Sequence, residues 1–277
     1  MDAFVDPFLG NAFLVRALVA GVLVAAGSAV VGTYVVLRGL AFIGEALGHG
    51  LLPGVAAAVL LGVSGMLGAA VAAAVMIAGV TWVTRRSRLT TGTAIGLLFV
   101  GMLALGVVIV SRSESFTGDL TRVLFGDILG ISWSDIWIQL GVTVGVVVAA
   151  IVCARPFLLL CFDREQVQAA GFDPRLYEGI LLSLIAATVV VSFQSVGTLL
   201  VLGMLLAPSG AAALVTSRIP TAMALAAGIG AISVAAGLLL SYHFDLAAGA
   251  AIVLVAVAAF FAIFAARELL GTRRTAA

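Results

Sequence analysis

An acid and a histidine stand four positions apart in an otherwise apolar stretch of the chain, "FIGEALGHGLLPG" at residues 42–54. In a helix, positions i and i+4 lie on one face with their Cβ atoms about 5–6 Å apart. Glu45 and His49 therefore present a carboxylate and an imidazole side by side, and both groups are ligands for a borderline divalent cation such as Zn²⁺ or Mn²⁺. Because a closed structural zinc site takes four ligands, this pair predicts a site that holds its ion loosely and releases it.

The spacing alone leaves other interpretations of the pair open. In a structural interpretation, a Glu–His hydrogen bond holds neighbouring helices together. In a second functional interpretation, the two groups form part of a proton relay, as His and Glu do in pumps. Pro53 and Gly54 follow late in the same stretch, and the proline predicts a kink or break because it removes a backbone donor. Broken helices at membrane depth are typical of the walls of cavities.

The elements that must hold this pair are membrane spans. Of the residues, 63% are hydrophobic and only 10% are charged, against about 25% charged in soluble domains, and the mean hydropathy is +1.28. A helix needs about 20 apolar residues to cross about 30 Å of hydrocarbon. The chain therefore predicts a single transmembrane domain over residues 1–277, an all-α polytopic bundle of about eight or nine transmembrane helices. The predicted spans are 14–37, 40–62, 65–84, 92–111, 134–153, 177–194, 196–215, 220–241 and 246–266.

The basic residues predict how the bundle is oriented. All 14 of them are arginines, and most fall in alternate loops and at the C-terminus. Only Arg16, Arg112 and Arg122 fall on the opposite side. Because basic residues accumulate in cytoplasmic loops, we expect the N-terminus outside and the C-terminus in the cytosol. The opening "MDAFVDPF" has two acids and no base, unlike a cleaved signal, so the first span is expected to be retained.

Four stretches carry a resemblance to a known family. They are "FIGEALGHGLLPGVAAAVLLG" at 42–62, "LFGDILGIS" at 124–132, "CFDREQVQAAGFDP" at 161–174 and "QSVGTLLVLGMLLAPSGAAALVTSR" at 194–218. In order and spacing they are similar to the zinc/manganese ABC transporter permease family, the membrane subunits of bacterial metal-ion importers. The first stretch departs from the family pattern in two places, with Glu45 where the family usually has Asp and Gly48 where it usually has Ser. The resemblance implies that Glu45 and His49 handle the transported metal.

The resemblance also implies a division of labour between subunits. It predicts a homodimeric permease in the bacterial cytoplasmic (inner) membrane that takes metal from an extracytoplasmic solute-binding protein and depends on a separate ABC ATPase. The chain itself agrees, because a standard P-loop needs a lysine and this chain contains none. Zinc is the favoured ion and manganese the next, with no permanently bound cofactor, no catalytic residue and no nucleic-acid partner expected. The alternative function is a proton-coupled secondary metal transporter or a channel.

The cytosolic loop at about 154–176 is the predicted contact with the ATPase. Its "DREQVQAAG" stretch begins with acids, contains good helix formers and stops at Gly171, which is typical of a short helix. A solvated connector helix is the alternative interpretation of this stretch. By the resemblance, it corresponds to the coupling helix that docks in a groove of the ATPase. The residues at the matching positions are Asp163, Glu165, Ala169, Ala170 and Gly171.

Three further features are predicted less specifically. His243 and Asp245, in "SYHFDL", are expected at the outer face, where they assist metal entry or docking of the binding protein, or belong to a solvated loop. Cys153 and Cys161 match no zinc-site spacing and are predicted to be free thiols. The segment 116–130 has nearly helical apolar spacing, which favours an interfacial or re-entrant helix.

Overall fold

The computed structural model describes residues 10–111 and 130–275, apart from the side chains of 194, 195 and 270–275. Within these ranges the regular secondary structure is helical. The predicted segment 116–130 lies outside the described residues except for its last position. The helices are α1 (Ala12–Leu37), α2 (Phe42–Gly50), α3 (Leu52–Leu60), α4 (Gly65–Arg86), α5 (Thr91–Val110), α6 (Trp133–Val152), α7 (Ala154–Phe162), α8 (Arg164–Ala169), α9 (Pro174–Val215), α10 (Ile219–Phe244) and α11 (Ala248–Thr275).

Nine stretches among the described residues are long and apolar enough to cross a membrane. Helices α2 and α3 together form one of them, Phe42–Leu60, and α9 divides into two, Pro174–Phe193 and Val196–Val215. Each of the nine overlaps one of the predicted spans. The expected all-α polytopic bundle is therefore confirmed, and the short helices α7 and α8 lie in the connection between the fifth and sixth spans.

The second span is broken where the proline predicts it. Helix α2 ends at Gly50 and α3 begins at Leu52, with Leu51 between them. Pro53 stands in the first turn of α3, and because it has no N–H it cannot donate to the carbonyl of His49. Beyond the break, α3 packs against α4 with its backbone, since a Cβ built on Gly54 would lie 2.1 Å from the carbonyl oxygen of Gly68.

Helix α9 bends sharply at Gly197, which has φ 78° and ψ 164°. This combination is essentially restricted to glycine. Glu178, before the bend, contacts Arg38 at the end of α1. Ser209, after the bend, lies beside Gly32 of the same helix, about 9 Å along the axis from Arg38 by the helical rise. The two halves of α9 therefore begin and finish near the same end of the bundle, which we call the arginine-rich end after Arg38, Arg85, Arg164 and Arg175.

Candidate metal site and partner surface

The predicted ligand pair lies on α2 and faces away from the core of its own chain. Glu45 belongs to the first turn of α2 and is exposed, and His49 belongs to the last turn and is partly exposed. Phe42, which is 44% exposed, continues the same stripe. His49 stands seven residues after Phe42, hence about 10 Å along a span of about 27 Å. The structure thus places a carboxylate and an imidazole together within a membrane span, on its outward surface.

Packing on the remaining faces of α2 fixes this orientation. Ala46 and Leu47 are almost completely buried, at 0% and 1% exposure. Gly48 faces the second half of α9, where a Cβ would lie 3.4 Å from the side chain of Thr198. On the α5 side, the ring of Phe99 lies 6.3 Å from the ring of His49. Rotation of α2 would break these contacts, so the stripe containing Glu45 and His49 stays outward.

Within the part of the chain that the structure describes, no further ligand of the usual kinds joins this pair. Among the described residues, no group of three or more His, Cys, Asp or Glu side chains is placed to hold a metal ion. Glu45 and His49 thus contribute one carboxylate and one imidazole per chain, two groups of the kinds that bind metals. That is half of the four-ligand set that a tetrahedral cation such as zinc takes in a closed site.

The predicted coupling segment forms the expected short helix. Asp163 caps α8, with its Oδ1 accepting a hydrogen bond of 3.1 Å from the backbone N–H of Glu165. Gly171, at φ 82°, ends the turn through a bond of 2.9 Å from its N–H to the carbonyl of Gln168. Val167 is fully buried beneath the helix. The five positions matched to the coupling helix are all exposed, namely Asp163, Glu165, Ala169, Ala170 and Gly171.

Behind α8 lies a buried carboxylate to which the sequence analysis gave no role. Oε1 of Glu178 accepts hydrogen bonds from Arg38 Nη2 at 3.1 Å and from Thr91 Oγ1 at 3.2 Å. Its Oε2 accepts from Arg164 Nη2. The side chains of Glu178 and Arg38 are each only 10% exposed, whereas that of Arg164 is 53% exposed. We call these four residues the Glu178 junction. Glu178 is the second residue of the predicted span 177–194, and an acid within a predicted apolar span is a signal by which the sequence could have identified it.

Among the described residues, neither the outer-face pair nor the cysteines belong to a group of side chains that could hold a metal ion. His243 and Asp245 are exposed where α10 ends, and Nδ1–H of His243 donates to the carbonyl of Leu239 at 2.8 Å. Their proposed part in metal entry stays a prediction. Cys153 and Cys161 are free thiols, as predicted. Burial raises the pKa of the Cys161 thiol, although the nearby Arg38 guanidinium lowers it in part, which disfavours the thiolate that a metal would require.

The chain is similar in sequence to known transport proteins and in fold to a solved structure. A family model described as the ABC 3 transport family matches residues 11–267. The "Manganese transport system membrane protein MntC" of Halalkalibacterium halodurans is 37% identical over 261 residues, which are 94% of this chain and 89% of that protein. The "Probable iron transport system membrane protein" of Haemophilus influenzae is 36% identical over 252 residues, or 91% and 92% of the two chains. The solved structure "PsaBC from Streptococcus pneumoniae in complex with Fab" is similar with a TM-score of 0.82 at 32% identity, covering 94% of each chain.

Proposed function

The chain belongs to the ABC 3 transport family, and we propose that it is the membrane permease subunit of an ATP-driven importer for divalent transition-metal ions. The observation that carries this proposal is the outward stripe of α2. Glu45 is exposed and His49 partly exposed within a membrane span, so both groups are open to an ion that passes along this face. A site fully enclosed within one chain would not leave its ligands accessible in this way.

The exposure of Glu45 favours a second copy of the chain as its neighbour. Glu45 is the fourth residue of the span Phe42–Leu60. The cost of an acid in hydrocarbon is at least about 2.5–3.5 kcal/mol at the centre of a helix and falls toward the interfaces, and ionisable groups in spans face a bundle interior or water. In a homodimer with two-fold symmetry, the same patch of each subunit meets at the interface. Two such stripes bring two carboxylates and two imidazoles together, a four-ligand set that assembles and separates with the subunits. We expect the ion to pass between the two copies.

Manganese is the ion we place first for this importer. Nitrogen and oxygen ligands suit several divalent metals, so the pair itself does not choose between them. Two of the relatives are named for manganese and for iron transport. The preference for zinc expected from the sequence stays a prediction, and zinc belongs in every transport test as the competing ion.

The energy source and the direction of transport complete the proposal. The chain has no lysine for a standard P-loop, so ATP hydrolysis takes place on an ABC ATPase that docks on the exposed surface of α8. The arginine-rich end faces the cytosol, with the C-terminus on that side and the N-terminus outside. An extracytoplasmic solute-binding protein delivers the metal at the opposite end, near His243 and Asp245. The membrane is the bacterial cytoplasmic membrane.

The first test measures the metal content of cells. An importer-deficient bacterium expresses the permease with its ATPase and solute-binding protein, and cellular manganese, zinc and iron are measured by mass spectrometry. We expect manganese to rise with the wild type and to stay at the background with His49→Ala at equal membrane abundance. The chain contains only two histidines, so His243→Ala is the matched control that separates the span from the loop.

The possible results distinguish a metal path at His49 from a structural role of the pair, from proton-coupled transport and from an essential histidine at the outer face. Full uptake by His49→Ala would remove the pair from the metal path and leave it a structural role. Accumulation that persists with an inactive ATPase and stops with a protonophore would favour the proton-coupled alternative instead. Loss of uptake in His243→Ala alone would move the essential histidine to the outer face.

A further inference from the structure

The Glu178 junction joins the predicted docking helix to the turn that leads into α2, which carries the proposed metal ligands, and to α5, which lies beside them. We propose that Glu178 is a positioning residue that transmits movement of α8 to α2 and α5. This inference rests on the proposed function, because it requires an ATPase that moves α8. The two oxygens of the Glu178 carboxylate bind different parts of the bundle.

Oε2 of Glu178 is the side that serves α8. Its donor, Arg164, is the first residue of that helix, so the ion pair attaches at the point where the docking segment begins. Val167, fully buried, anchors the helix one turn later. Before it, Phe157 of α7 packs edge-on against Tyr34 of α1, with ring centroids 5.3 Å apart. A displacement of α8 is therefore passed to the body of the bundle and is not absorbed by a loose loop.

Oε1 of Glu178 is the side that serves the metal path. Arg38 follows the last residue of α1, and a turn of three residues separates it from the first residue of α2, the helix with Glu45 and His49. Thr91 is the first residue of α5. Phe99 of the same helix lies with its ring 5.4 Å from Phe42 and 6.3 Å from His49. Oε1 thus binds the residue just before the turn into α2, which carries the ligand pair, and the first residue of α5, which lies beside it.

Burial makes these connections stiff. The side chains of Glu178 and Arg38 are 10% exposed, so water competes poorly for their hydrogen bonds. The arrangement also depends on a carboxylate, which accepts hydrogen bonds at both oxygens. A glutamine has one accepting oxygen and one donating nitrogen, so it can keep Arg38 and Thr91 or keep Arg164, but it presents a donor to the other side. Glu178→Gln therefore disconnects one side of the junction with little change in size.

The experiment measures how many ATP molecules are hydrolysed for each metal ion imported. Permease, ATPase and solute-binding protein are reconstituted in liposomes, and manganese uptake and phosphate release are recorded together. We expect Glu178→Gln to keep complex assembly and ATP hydrolysis, and to raise the ratio of ATP to manganese by at least about fivefold, the lower end of typical coupling effects. A variant that only weakened the fold would lower both activities together.

Arg164→Gln is the second variant, because it cuts the exposed side of the junction and leaves the buried pair of Arg38 and Glu178 in place. Glutamine is expected to turn its accepting oxygen toward Arg38 and Thr91, which supply two of the three donors, so each single change breaks the connection to Arg164. We therefore expect the same rise in the ratio, and no further rise in the double variant. Arg85→Gln is the matched control. It removes an exposed arginine that lines the same small cleft as Arg164 and Glu178, and we expect the wild-type ratio.

The outcomes separate this inference from the proposed function. If the wild-type complex imports metal with ATP and both Gln variants keep its ratio, the role of Glu178 is overturned and the proposed function stands. If Arg85→Gln raises the ratio as much as Arg164→Gln does, the effect is one of general surface charge and the inference also fails. A wild-type complex that hydrolyses ATP without importing any metal would overturn both.

Discussion

At the scale of single residues, Gly48, which lies between the two proposed metal ligands, faces a residue of another helix. By the family resemblance, Gly48 stands where serine is the usual residue. A Cβ at this position would lie 3.4 Å from Cβ and Cγ2 of Thr198, which is ordinary van der Waals contact. The fold therefore has room for a small side chain here. One turn earlier it has less, because a Cβ on Gly44 would lie 2.9 Å from Cδ2 of Leu205 and 3.0 Å from Cδ2 of Leu202.

We predict that Gly48→Ser folds and keeps transport activity. Its free energy of unfolding is expected to stay within about 0.5 kcal/mol of the wild type, as for substitutions that create no clash. Gly44→Ser is the matched comparison and is expected to lose about 1–3 kcal/mol through overpacking. Thermal unfolding of the detergent-purified proteins measures the difference. If Gly48→Ser melts as low as Gly44→Ser, the contact with Thr198 is tighter than the structure indicates.

At the scale of elements, two interrupted helices meet beside the ligand pair, and different residues interrupt them. Pro53 breaks the second span by removing a backbone donor. Gly197 bends α9 by adopting a backbone conformation that other residues avoid. Thr198, which follows Gly197, is the residue that Gly48 faces. The position of α2 therefore depends on the bend in α9 as well as on its own sequence.

We predict that Gly197→Ala destabilises the protein by about 1–3 kcal/mol, because alanine pays the cost of a strained backbone at φ 78°. The control is Gly228→Ala in the interior of α10, where a Cβ meets nothing within 4 Å. That change is expected to be neutral or to stabilise by up to about 1 kcal/mol. Chemical unfolding in mixed micelles compares the two. Equal stability of both variants would show that the bend relaxes into an ordinary helix at no cost.

How far the sequence predicts this structure depends on the distance over which each feature is determined. The nine spans follow from local hydropathy and length, and the short helix α8 follows from its cap at Asp163 and its stop at Gly171. The outward direction of Glu45 is not local, since the apolar face of α2 with Ile43 and Leu47 is suited either to the bundle interior or to lipid, and a carboxylate in a span faces either a bundle interior or water. Nor is the junction at Glu178 local, because Arg38 lies 140 residues away.

At the scale of the whole molecule, the surface around α2 differs from the rest of the membrane-facing surface. Elsewhere the exposed large side chains are apolar, such as Trp82 on α4 and Leu254 on α11, which are 65% and 68% exposed. Such residues are satisfied by lipid. Lipid does not satisfy the carboxylate of Glu45. We therefore expect the interface around the proposed two-fold axis to cover the stripe of α2.

We predict that Glu45→Cys cross-links two copies of the chain in native membranes. The background is simple, because only Cys153 and Cys161 need replacing by serine. Leu254→Cys, on α11, is the control, and we expect no cross-link between its two copies. A short bifunctional maleimide followed by denaturing electrophoresis shows the dimer band. Cross-linking at Leu254 and not at Glu45 would place the subunit interface on another face.

The ion pair between Arg38 and Glu178 also has a consequence for the timing of synthesis. Its partners are 140 residues apart, and ribosomes add about 5–20 residues per second, so Glu178 is made roughly 7–30 s after Arg38. During that interval Arg38 stays at the membrane surface, in contact with water and lipid headgroups, without the Glu178 carboxylate. Five described spans precede α9. The ion pair that joins α1 to α9 at the arginine-rich end therefore forms only after all five, and the start of the sixth, have been synthesised.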